Sequence, residues 1–423
     1  MRIQSILRQL QFLATCGLVV ACAAATSSPR FSSDGSDGGA SSSDSAGDSS
    51  DTDAGGDAAS NGYAGSSGGS SGGSFSGSFA TSSGGPNDDG AVADGAAVGP
   101  VDVTPSCDSG IAVDGDARAF AESIGICKDA EQDGWGLVSA SYQNAFGSSA
   151  APAVGQWGLL PAFGSTIKPR EGSLLGVLSS GYAREWDDAA GTNQGPSSDF
   201  VVGQPLDGTS YPTGKAPPGY PVAAQGCPQD DLVNDMIDVK LVLKAPPDAS
   251  GFQFDFDFFS SEWPDYVCSN FNDAFVAYLT SSSTTGNISF DSKNNPVAVN
   301  IAFLDRCTPG APVGCLRSNG PNPDAPLYTS TCSAGSEELL GTGYGDTFQS
   351  GCDPNVANNI AATQGASTGW LTTTAPIQPG EQFTLELMIW DAGDGLLDSS
   401  VLVDKFQWLG GEGTVPTVTQ PAR

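Results

Sequence analysis

Residues able to do chemistry concentrate in two short stretches of this sequence. The first, Ser260 to Asp273, holds Glu262, Asp265, Asn272 and Asp273, with Trp263, Tyr266 and Phe271 set among them. The second runs from Ile389 to Phe406 and places Asp391, Asp394 and Asp398 around Gly393 and Gly395, with Asp404 beyond. Carboxylates gathered at glycine turns can supply the roughly six to eight oxygens that calcium takes. Glu262, Asp273, Asp391, Asp394, Asp398 and Asp404 are therefore candidate calcium ligands, although their spacing is not that of an EF-hand. The same acids can instead cap turns through side-chain bonds to backbone N–H groups, and the sequence leaves both readings open. Two of them, such as Glu262 with Asp265 or Asp398, could also form the carboxylate pair of a glycosidase. Trp263 and Tyr266 can stack on sugar rings, and Trp263 suits a core position equally well.

Composition narrows the choice. The 423 residues include no His and carry a formal net charge of −32. Without His, Ser-His-Asp and Cys-His nucleophile systems and His-ligated zinc or iron sites are excluded. The charge repels nucleic acid and anionic lipid. Carboxylate chemistry, hard cations held by oxygen, or binding without catalysis remain.

The elements that must position these acids are strands. Phe252, Phe254, Phe256 and Phe258 alternate with Gln253, Asp255 and Asp257, the period of a half-buried strand. Ala274 to Leu279 reads as a second, buried strand, so Ser260 to Asp273 is the crossing between them. Further apolar runs, Gly136–Ser141, Ser173–Ser179, Ile237–Leu243, Val297–Leu304, Gln382–Trp390 and Ser400–Trp408, are separated by Gly, Pro, Asn and Ser clusters. Many short strands with few helices predict an all-β antiparallel sandwich or jelly roll. One short helix is expected over Asp116 to Ile124, stopped by Gly125, and the stretch from Ala183 to Gln229 is expected to form long surface loops.

The chain divides in order. Residues 1–21 read as an export signal, with Arg2 and Arg8 ahead of an apolar run too short to span a bilayer. It ends Val19-Val20-Ala21-Cys22, which resembles the lipobox of bacterial lipoproteins and implies a lipid on Cys22. Cleavage nearer Ala23 to Ala25 is the alternative. Ala23 after the cysteine resembles the outer-membrane sorting class. Residues 22–105 are Ser, Gly, Ala and Asp with scarcely an apolar side chain, and cannot offset chain entropy by burial, so they read as a disordered tether. Residues 106–410 are expected to form one β domain and 411–423 a flexible tail. Eight cysteines lie in or near that domain: Cys107, Cys127, Cys227, Cys268, Cys307, Cys315, Cys332 and Cys352. An even number in an exported chain suggests four disulfides. Neighbour pairing is the simplest connectivity, joining Cys107–Cys127, Cys307–Cys315 and Cys332–Cys352 and leaving Cys227 with Cys268.

These residues carry a resemblance. Phe259-Ser260-Ser261-Glu262-Trp263-Pro264-Asp265-Tyr266-Val267, followed by Phe271-Asn272-Asp273-Ala274-Phe275, resembles the signature of the choice-of-anchor L domain. Leu174 to Gly181 is similar to that family's early strand, and Ile389 to Phe406 to its closing hairpin, so the resemblance spans most of residues 120–410. It differs in having one acid where the family often has two, and in placing Cys268 within the crossing. The resemblance implies a bacterial cell-surface domain held by varied anchors, here a lipid, and brings no catalytic residues. The expectation is therefore a lipid-anchored protein of the cell envelope, in the outer membrane or at the cell surface. Its domain would bind an extracellular polysaccharide or protein without turning it over; a carboxylate-dependent secreted hydrolase is the alternative.

Overall fold

The computed structural model describes residues 98–102, 105–153, 155–184, 214–291, 295–300, 304–316, 325–345 and 365–423. The expected signal peptide, Cys22 and nearly all of the expected tether lie outside these residues, as does Cys352.

Alternation sets the strands. The main ones are β1 (Gly136–Gln143), β2 (Trp157–Leu160), β3 (Leu175–Ser179), β4 (Val233–Lys244), β5 (Ala249–Ser260), β6 (Ala274–Thr280), β7 (Leu371–Pro376), β8 (Gln382–Ala392), β9 (Ser399–Gly410) and β10 (Val418–Pro421). One sheet runs β10-β7-β5-β9-β3-β2 and the other β1-β4-β8-β6, the latter extended by the short strand Thr285–Asn287. Every pairing between these strands is antiparallel. The fold is an all-β sandwich, and the expected helix is α1 (Ala117–Ser123), capped by Asp116, whose side chain accepts from the Ala119 N–H at 2.9 Å.

Phe252, Phe254, Phe256 and Phe258 belong to the main core between the sheets and are fully buried. Phe252 stacks on Phe383 of β8 with centroids 5.4 Å apart, and Phe256 meets Phe275 of β6 at 5.0 Å. Burial stabilises by about 1.5–3 kcal/mol per ring of this size. The opposite face of β5 is not the wet one expected: Asp255 and Asp257 are also buried. A second cluster that includes Phe163, Phe259, Tyr344 and Leu402 explains this, because loops cover the outside of that sheet.

Ordered structure extends past 106–410 at both ends. Gly99–Pro100 pairs with β9, and β10 within the expected tail pairs with β7. Thr419 holds β10 in place through a hydroxyl contact with Thr373 at 2.8 Å. The disulfides Cys107–Cys127 and Cys227–Cys268 form as neighbour pairing predicts. Cys307 instead bridges Cys332, 25 residues on, which corrects the expected Cys307–Cys315 and Cys332–Cys352 pairs. Sequence proximity misled here because the ribbon Pro312–Val313 with Tyr328–Thr329 folds the chain back between the two partners. Cys315 is disulfide-bonded as well.

Candidate functional site

The inward rows of the strands become polar at one end of the sandwich. Along β8 the inward residues Leu385, Leu387 and Ile389 lead to Asp391, and along β6 the row Leu279, Ala277, Phe275 leads back to Asp273. On β5 the aromatic row runs out through Ser260 to Glu262, and on β9 Val403 and Val401 lead back to Ser399. Side chains two residues apart share a face. Register puts these ends together: Ser399 lies opposite Ser260, Trp390 opposite Ala274 and Asp391 opposite Asn234. Glu262, Asp273, Asp391 and Asp398 are each no more than 2 % exposed. The two acidic stretches of the sequence therefore meet.

Hydrogen bonds fix the backbone that carries them. Asp273 bridges the sheets, its Oδ2 accepting from the Ser399 hydroxyl at 2.7 Å and its Oδ1 from the Ala392 N–H at 3.1 Å. The Ser261 N–H donates to the Asp398 carbonyl at 3.3 Å. Ser180 donates to the Ser399 carbonyl at 3.2 Å and accepts from the Ser399 N–H at 2.9 Å. In the turn, Asp394 Oδ1 accepts from the Leu396 N–H at 3.1 Å, so this acid does cap a turn. Gly181 has no room for a side chain: a Cβ would lie 1.8 Å from Asp398 Oδ2.

Asp391 is different. Its carboxyl interacts with the side chains of Ser180 and Asp273, whereas Glu262 Oε2 has no hydrogen-bond partner among the described residues. The Ser180 hydroxyl favours the charged form of Asp391. Burial, then the charges of Asp273 and Asp398, push the Asp391 carboxyl well above the usual carboxylate range. Burial, then Asp273 and three further acids, does the same to Glu262. Asp273 is raised to about 7, burial outweighing its hydrogen bonds from Ser399 and Ala392. Among the described residues, no Lys or Arg is ion-paired with any of these acids. As they stand, no three acidic side chains among the described residues converge as a metal requires.

Two candidates fall elsewhere. Asp404 is not with the other calcium candidates: it sits on the outer face of the first sheet, opposite Asp255, accepting from the N–H groups of Arg170, Glu171 and Lys405. A bulge with Lys405 at φ 55° follows it. Trp263 is only 3 % exposed and belongs to the core, so its ring face is not offered to a sugar. Tyr266 is half-buried and packs edge-on against Phe271, with centroids 5.5 Å apart. Leu316, Leu327 and Tyr328 flank the crossing at 42 %, 44 % and 48 % exposure. The Leu316 N–H donates to the Asp265 carbonyl at 3.0 Å, and the Tyr328 ring lies 6.5 Å from that of Trp263. Cavities of about 370, 290 and 520 Å³ open elsewhere, and none of the six candidate calcium ligands lines them.

Sequence reasoning missed Ser180 and Ser399 as partners of the acids, and Asp235, 2 % exposed with φ 46°. The Ser-Ser-Gly ending of β3 and the Asp-Ser-Ser opening of β9 were the available signals.

Residues 239–406 match the family model of the Choice-of-anchor L domain. The match runs from within β4 to β9 and is narrower than the resemblance over 120–410, leaving the Leu174–Gly181 segment outside it. No curated protein and no solved structure matches the chain.

Proposed function

We propose that this chain, whose residues 239–406 match the Choice-of-anchor L domain model, is a surface-associated, lipid-anchored envelope protein whose sandwich binds an extracellular polysaccharide without turning it over. The observation that carries the binding reading is the partly exposed group Tyr266, Phe271, Leu327 and Tyr328 beside the crossing. Exposed aromatic and apolar side chains grouped in this way are typical of interaction sites, and ring faces of this kind stack on sugars. Burial of Glu262, Asp273, Asp391 and Asp398 supports a role inside the fold rather than at a substrate. Cys22, at the end of an export-like segment, is the anchor in this reading, and a Ser/Gly/Asp-rich tether extends the domain from the outer membrane.

The test is a glycan array with the purified protein, read first for binding and then for released product. Binding that falls about tenfold or more in Tyr266→Ala or Tyr328→Ala supports the reading, an aromatic–sugar contact being worth about 1.4 kcal/mol or more. Product release abolished by Glu262→Gln would overturn it. In cells, Cys22→Ser is expected to move the protein out of the membrane fraction, and unchanged fractionation would reject the anchor.

A further inference from the structure

Away from the polar end, the second sheet carries an amine and two carboxyls on its outer face. Leu385 and Leu387 of β8 point inward, so Glu386 between them points out. We propose that Lys240 and Glu386 become joined by an amide bond, an intramolecular isopeptide that ties β4 to β8 covalently, with Asp238 as the acid that promotes it. Register makes the pair: Glu386 lies directly opposite Lys240, and Lys240 Nζ stands 3.3 Å from Glu386 Oε1. Asp238 is two residues from Lys240 on β4 and shares its face, and its side chain interacts with that of Glu386. Amine, carboxyl and acid are therefore held side by side, close to the separation from which an oriented intramolecular reaction proceeds.

The surroundings suit this chemistry. Asp238 is fully buried and Glu386 is 3 % exposed. Tyr278 of β6 lies opposite Glu386 and Gln143 of β1 opposite Asp238; both are buried, and Phe146 packs edge-on against Tyr278 with centroids 5.3 Å apart. Little water reaches the carboxyls to reverse the reaction. Burial, then the charge of Glu386, keeps a proton on Asp238, which equips it to polarise the Glu386 carboxyl and to protonate the departing oxygen. The Lys240 ammonium first passes one proton to the Glu386 carboxylate. Its nitrogen then attacks Glu386 Cδ: the N–Cδ bond forms, one Cδ–O bond breaks with a proton from Asp238, and Asp238 regains a proton from the nitrogen. One water leaves, and neither an oxidant nor a second substrate is needed. The Lys240 side chain is 33 % exposed, which gives that water a way out. None of these residues belongs to the sugar-binding reading, so the two stand or fall separately.

The experiment is peptide mass mapping of the purified full chain, reduced, alkylated and digested with trypsin and chymotrypsin. The expected product is one branched species joining the peptides that carry Lys240 and Glu386, lighter than their sum by one water, with no tryptic cleavage after Lys240. Lys240→Arg is expected to abolish it, Asp238→Asn to lower its yield by about tenfold or more, and Lys244→Arg to leave it unchanged. If Asp238→Asn does not fold, the wild-type map decides without it. Separate wild-type peptides, with trypsin cutting after Lys240, would overturn the proposal. A branched species formed equally well in folded Asp238→Asn would overturn it too, since the acid would then have no part in the step.

Discussion

Replacing both Cys227 and Cys268 by Ser isolates the bridge that staples the crossing to the loop ahead of β4. The two cysteines are 41 residues apart in sequence. Closing a loop of that size lowers the entropy of the unfolded chain by about 13 cal/mol/K, or about 4 kcal/mol at 25 °C. For a folded unit of roughly 300 residues, the unfolding entropy is about 0.6 kcal/mol/K. Loss of the bridge should therefore lower the melting temperature by about 6 °C. At Cys268 the backbone N–H donates to Asn300 Oδ1, a bond that survives the change to serine. The double variant avoids a lone thiol that could attack Cys307–Cys332. The assay is calorimetry of the oxidised protein, with mass spectrometry confirming the remaining bridges. A melting temperature within about 1 °C of wild type would refute the reasoning, and would mean that the unfolded chain is already constrained there.

Gly181→Ala should destabilise the domain by about 1–3 kcal/mol or more, because its Cβ would overlap Asp398 Oδ2. Denaturant unfolding measures it, and a change under about 0.5 kcal/mol would mean that Asp398 moves aside freely. Asp238 on β4 is fully buried; burial, then the charge of Glu386, pushes its carboxyl well above the usual range, against the pull of Lys240. The folded state thus keeps its proton to higher pH than the unfolded chain, and stability is lost as pH rises above about 4. Asp238→Asn carries no such cost, so its stability relative to wild type should climb as pH rises above about 4. A pH-independent difference across denaturant titrations would reject this.

The sandwich was legible because its strands alternate or form apolar runs: Phe252 to Phe258 and Phe383 to Ile389 announce their inward faces directly. β7 was not, since Leu-Thr-Thr-Thr-Ala-Pro has little apolar contrast and gains its place from pairing with β5 and β10. β2 was missed for a similar reason, being only four residues long. The acids of the crossing and the hairpin were visible as candidates, but their meeting depends on register between strands distant in sequence. Asp404 looked equivalent to Asp398 in the sequence. The strand start and the bulge at Lys405 separate them by putting one at the polar end and the other on the outer face. The Cys307–Cys332 bridge was hidden because a ribbon, rather than sequence distance, sets which thiols approach.

The pairing of Gly99–Pro100 with Gly410 and Leu409 has a mechanical meaning. A pull reaching the domain from its N-terminal side is taken first by those two residue pairs and the Val101 N–H bond to the Trp408 carbonyl. Once they part, tension arrives at Cys107 and passes through sulfur to Cys127, bypassing residues 108–126, which contain α1. That segment cannot be drawn out while the bridge is oxidised. The helix and the packing of Phe120 beneath it are thus shielded from traction, and the next element to bear load is the chain entering β1.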